Sequence, residues 1–190
     1  LAVEVVVAQA SIAGHVHAED KEIALSRNVR VHHGFDDRHG HANGRGSLYA
    51  FEDVLAEAGL LSATTRPTDA WLSRLLELLR PRAKRLGEFA DMARPFLREV
   101  VDYEPEAIEK HLSAPDAGGH LTALAETLRT VEPFEEPSVE AAVRAAATER
   151  GVKAGALIHA ARVAVTGRTT SPGIFEVLVL LGRERSIERL

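Results

Sequence analysis

The chain has no cysteine, so a disulfide framework and a thiolate metal centre are both closed to it. That absence suits a cytosolic protein. It also lacks a long apolar run: the opening LAVEVVVAQASIAG is broken by Glu4 and Gln9 and has no basic segment before it, which excludes a spanning helix and a secretory signal. We therefore read the chain as soluble, with no membrane partner. Overall positive charge is missing too. The net charge of −5 would not by itself point to a nucleic-acid partner, because phosphate binding draws on clustered Lys and Arg. What remains is ordinary for a globular protein: 190 residues, 45% of them hydrophobic, enough for one domain or two small ones.

The distribution of charge carries more than its sum. Residues 71–98 hold seven basic and three acidic side chains, and residues 151–190 six and three. Between them, residues 99–150 hold four basic and twelve acidic ones. Two basic blocks thus flank an acidic block, a pattern that solvated helix faces also produce.

Residues 1–46 stand apart. Six of the nine histidines fall there, and HHGFDDRHGHANGRG (32–46) has neither helical nor strand periodicity, so the segment is left unassigned as low-complexity loop or disorder. His32, His33, His39 and His41, with Asp36 and Asp37, are ligand-capable side chains at close spacing. No zinc spacing motif organises them, and we assign no metal.

From residue 47 the pattern is helical throughout. Ser47 is placed to cap a helix carrying Phe51, Val54, Leu55 and Ala58, with Gly59 ending it. Thr68 or Asp69 caps a second, whose stripe is Trp71, Leu72, Leu75, Leu76 and Leu79. Pro81 ends that helix and is placed to open another through Ala83, Leu86, Phe89 and Ala90, since proline is tolerated at a first helical position. Helices are further expected over 94–101, 105–112, 119–131 and 153–165, with Pro115, Gly118 and Gly119 marking a break. Ser138 is expected to cap an alanine-rich helix closed by Gly151, and Ser171-Pro172 to start one through Ile174, Phe175, Val177, Leu178 and Leu181 that Gly182 stops. The expected class is all-α: two packed helical bundles, 47–115 and 116–190.

Two blocks carry a family resemblance. VKAGALIHAARVAVTGRTTSPGIFEVLVLLGRERSIERL (152–190) and WLSRLLELLRPRAKRLGEFADMARPFL (71–97) resemble the C-terminal, anticodon-binding half of bacterial glutamyl-tRNA synthetases. The likeness covers about residues 52–190. The specific part is the order of features: a basic residue, an ALTG-like turn, a spacer, Pro-Gly-aliphatic-Phe and an LLGKE-like run. In that family the region grips the anticodon arm of glutamate tRNA with its bases splayed out. The resemblance implies anticodon contacts for Arg82, Arg162, Ser171, Pro172 and Ile174, with Lys84, Arg85 and Arg168 adding charge. It departs from the family at Ala160 and Ala161, where Pro-Leu is frequent, and at Ser171, where threonine is.

The chemistry of these residues agrees. Exposed bases are read through their edges and faces, and a guanidinium offers fixed donors and a stackable plane. Each residue also has a plainer account. Arg82, Lys84 and Arg85 fit solvated helix charges, Arg162 a snorkelling arginine, Ser171-Pro172 a helix cap, and Trp71 and Phe175 core positions. HIGH-type and KMSKS-type nucleotide signatures are absent. The chain is therefore expected not to act as a ligase alone, and to hold no cofactor, ATP and magnesium belonging to a separate catalytic half. No DNA partner is expected. The alternatives are a non-catalytic helical paralogue serving protein interaction or regulation, and a truncated gene fragment.

Overall fold

A computed structural model describes residues 44–62 and 66–190. The histidine cluster, from His32 to His41, lies outside the described residues. Those residues form nine α-helices and no strand: α1 (Gly44–Glu57), α2 (Asp69–Leu79), α3 (Glu88–Leu97), α4 (Pro105–His111), α5 (Ala117–Arg129), α6 (Glu136–Glu149), α7 (Ala154–Thr166), α8 (Ile174–Leu181) and α9 (Arg183–Arg189). The all-α class expected from periodicity is the class observed.

Helices α1, α2 and α3 pack on one another, and α5 to α9 form a second group with α4 resting on α7. Contacts of α2 with α8 and of α3 with α7 join the groups, and one buried cluster runs from Leu48 to Leu190. The apolar stripe of α2 explains its position: Leu72, Leu75, Leu76 and Leu79 are buried, and Thr68 caps the helix by accepting from the Trp71 amide at 3.3 Å. Trp71 itself is half-buried, and its indole Nε1 donates to the Leu180 carbonyl at 2.9 Å, tying α2 to α8. Phe51 and Phe89 meet edge to face at 5.4 Å, joining α1 to α3. In α7 the run of Ala160, Ala161 and Ala164 is buried, and such small side chains let neighbouring helices approach closely. The two alanines that depart from the family pattern are thus packing residues. Burying a leucine such as Leu124 stabilises by roughly 1.5–3 kcal/mol, so the stripes outweigh any single cap.

Several boundaries differ from expectation, each for a local reason. Helix α1 begins at Gly44, which places Ser47 inside it. Pro81 does not open a helix: the Arg82 and Ala83 amides turn back onto the Leu79 carbonyl, and α3 starts only at Glu88. The helix expected at 94–101 is the end of α3, because Arg98 is extended at φ −93°, ψ 147°. Helix α5 starts at Ala117, after Asp116 in a left-handed conformation, so Gly118 and Gly119 lie in its first turn. Helix α6 starts at Glu136 with Pro137 in its first turn, where a missing N–H costs nothing, and Ser138 caps nothing. Gly173, not Ser171, precedes α8, and α9 follows Gly182 at once.

Candidate nucleic-acid interface

The loop after α7 is set by one glycine. Gly167 has φ +74°, and a Cβ there would come within 2.1 Å of the Asp102 carbonyl oxygen, so only glycine lets the 101–104 segment cross the end of α7. The Gly167 carbonyl accepts from the Glu104 amide at 2.9 Å, which fixes the crossing. Beyond it, Thr166 Oγ1 bonds the Arg162 carbonyl at 2.7 Å and accepts from the Arg168 amide at 3.3 Å, turning the chain sharply.

That turn forms one wall of a cavity of about 300 Å³. Thr166, Arg168, Thr170, Ser171 and Pro172 line this wall, Met92, Pro95 and Phe96 of α3 the opposite one, and Arg82 the rim. No carboxylate is among the lining residues. Arg162 lies beneath the loop: its Nη1 donates to Ser171 Oγ at 2.6 Å and to the Pro172 carbonyl at 2.7 Å. Among the described residues its Nε and Nη2 make no hydrogen bond. Burial, and then the nearby positive charge of Arg82, hold Arg162 below the usual arginine range. A guanidinium stays protonated in any case, so Arg82 and Arg168 on the cleft, with Arg162 beneath it, face no lining carboxylate. Such an arrangement favours an anionic or acceptor-rich ligand.

The structure thus brings together Arg82, Arg162, Arg168, Ser171 and Pro172. It separates three others. Ile174 is 3% exposed and belongs to the core. Lys84 and Arg85, both exposed, line a different hollow with Phe51, Leu86 and Phe89, because the 80–87 turn points them away from Arg82. Sequence reasoning missed the α3 wall, although Met92, Pro95 and Phe96 have the i, i+3, i+4 spacing of a shared face. It also missed Thr166 and Thr170, hydroxyl residues of the turn itself. Among the described residues no helix is long and apolar enough to cross a membrane.

These features define an all-helical module with a basic, hydroxyl-lined cleft between the end of one helix and the loop after another. The chain belongs to the anticodon binding domain family, whose family model matches residues 50–190. It is 42% identical over 124 residues to glutamate–tRNA ligase 2 of Koribacter versatilis, covering 65% of this chain and 26% of that protein. It is 39% identical over 143 residues to the glutamate–tRNA ligase of Roseiflexus castenholzii, covering 74% and 28%. The crystal structure of a glutamate tRNA ligase from Elizabethkingia meningosepticum shares the fold, with a TM-score of 0.67 at 18% identity over 77% of this chain and 28% of that one. The chain spans between about a quarter and a third of the length of the curated relatives it matches.

Proposed function

We propose that the chain binds the anticodon arm of glutamate tRNA, serving in the cytoplasm as the anticodon-binding part of a glutamate–tRNA ligase. The observation that carries this reading is the cleft: Arg82 at the rim, Arg162 beneath, Arg168 and Ser171 on the wall, and no lining carboxylate. Unstacked bases need donors for their edges and planes for their faces, and the flanking phosphates need cations. Arg82 is exposed at the rim, its Nη1 donating to the Leu78 carbonyl at 3.3 Å, and it offers the rest of its fork. Arg162 acts differently: by gripping Ser171 and Pro172 it holds the loop in place. Names of the relatives direct the choice of RNA, and membership in the family directs the choice of its anticodon arm. ATP and magnesium would be used by a catalytic part carried elsewhere.

Filter binding of a glutamate tRNA transcript, with salt titration and an anticodon-substituted control, tests the proposal. The expected result is tighter binding of the cognate transcript. Arg82→Ala should cost about 1–3 kcal/mol, the order of one bidentate base contact. Equal and negligible retention of both transcripts would overturn the reading.

A further inference from the structure

The short helix α9 carries two arginines with unusual partners. Arg189 is 9% exposed and forms no ion pair among the described residues, and every bond it makes goes to a backbone carbonyl. Its Nη1 donates to Pro95 at 2.7 Å and to Val165 at 2.8 Å, and its Nη2 to Arg98 at 2.7 Å. Arg185, one turn earlier, donates from Nη1 to Phe96 at 2.7 Å and from Nη2 to the same Arg98 carbonyl. Tyr103 donates to the Ala164 carbonyl at 2.9 Å beside them.

These acceptors share one character. Pro95 and Phe96 belong to the last turn of α3, with Arg98 its C-cap, and Ala164 and Val165 belong to the last turn of α7. Carbonyls at helix C-termini lack intrahelical donors and carry the negative end of the dipole, so a buried cation is stabilised there. A planar fork can serve two helices at once in a way a point charge cannot. Burial, and next the neighbouring Arg185, push Arg189 down to about 10. Three carbonyl acceptors offset the cost of burying that charge.

The same turns face the cleft with their side chains. Pro95 and Phe96 line one wall and Thr166 and Arg168 the other, directly after Val165. We propose that Arg189, assisted by Arg185, is a positioning residue for RNA recognition, fixing the gap between α3 and α7 and so the width of the cleft. This rests on the anticodon-arm reading. It also accounts for where α3 stops, since its terminal carbonyls take guanidinium donors from α9.

The test uses the full chain and four proteins: wild type, Arg189→Lys, Arg185→Lys and, as a control far from the cleft, Arg144→Lys. Two quantities are read, the thermal midpoint and the ratio of affinities for glutamate tRNA and its anticodon-substituted form at fixed salt. Lysine at 189 keeps the charge but cannot hold both helices. Lysine at 185 keeps the charge but cannot hold both of the α3-end carbonyls by which Arg185 seats α9. That ratio should therefore fall by about tenfold, the order of one lost base-edge contact. The dependence of affinity on salt should stay as in wild type, since phosphate contacts are untouched. Arg144→Lys should leave the ratio unchanged. Should Arg189→Lys fail to fold, Arg185→Lys decides alone. Lower midpoints with an unaltered ratio would make the clamp structural only and overturn the inference. A wild-type ratio of one would instead overturn the anticodon-arm reading, and the inference with it.

Discussion

Replacing Gly167 by alanine should be among the most damaging single-methyl changes available in this chain. Two costs add. At φ +74° an L-residue meets its own carbonyl, which costs roughly 1–2 kcal/mol. The new Cβ would also lie 2.1 Å from the Asp102 oxygen, 2.9 Å from its carbonyl carbon and 2.9 Å from Val101 Cγ1. Two of these three are backbone atoms, so no side chain can swing aside, and the forced shift costs about 1–3 kcal/mol more. Together they give roughly 2–5 kcal/mol, or about 4–20 °C in thermal midpoint at 2–4 °C per kcal/mol for a chain of this size. Gly151 provides the control. It has φ +66° and nothing within 4 Å of a built Cβ, so Gly151→Ala should show only the first cost, about 1–2 kcal/mol. Denaturant unfolding followed by circular dichroism measures both. If Gly167→Ala lost no more than Gly151→Ala, the close crossing of the 101–104 segment over α7 would be wrong, and with it the account of how the cleft wall is set.

Other changes probe other levels. Thr68→Ala removes the acceptor for the Trp71 amide and should cost about 0.5–2 kcal/mol in urea unfolding, whereas Thr68→Ser should cost much less; equal losses would refute the capping role. His111 stacks on His159 at 5.0 Å, and burial, then the positive charges of His159 and Lys110, lower its pKa. Its neutral form is therefore favoured in the folded state, and the unfolded chain takes up the proton more readily. That contribution to stability should be whole above about pH 6.5 and be lost as pH falls through the lowered folded value. Thermal midpoints across that range should slope more steeply for wild type than for His111→Gln, and matching slopes would remove the stacked pair as the cause.

The helix-forming stretches were legible because their signals are local. The stripe of α2, the stop at Gly59 and the left-handed Gly151 after α6 each follow from a few neighbouring residues. Errors gathered at helix ends whose partners are distant. The end of α3 could not be read from its own residues, because the donors to its last carbonyls sit in α9, about ninety positions along the chain. Ser138 and Ser171 look like caps, but a proline within the first turn moved one helix start upstream, and Arg162 engages the other hydroxyl.

The candidate site divides along the same line. The family resemblance singled out Arg82, Arg162, Arg168, Ser171 and Pro172, and their chemistry agrees with it, since guanidinium forks and hydroxyls are suited to RNA wherever they lie. Which of these share a cleft is a matter of three dimensions. The turn over 80–87 sends Lys84 and Arg85 to another face, Ile174 falls into the core, and α3 brings up an apolar wall. Composition, periodicity and motif order determined that the chain is helical and basic at two places. Only the tertiary structure decided that those places meet, because the contacts that join them, from α2 to α8, α3 to α7 and α9 to the ends of both α3 and α7, couple residues that no local pattern relates.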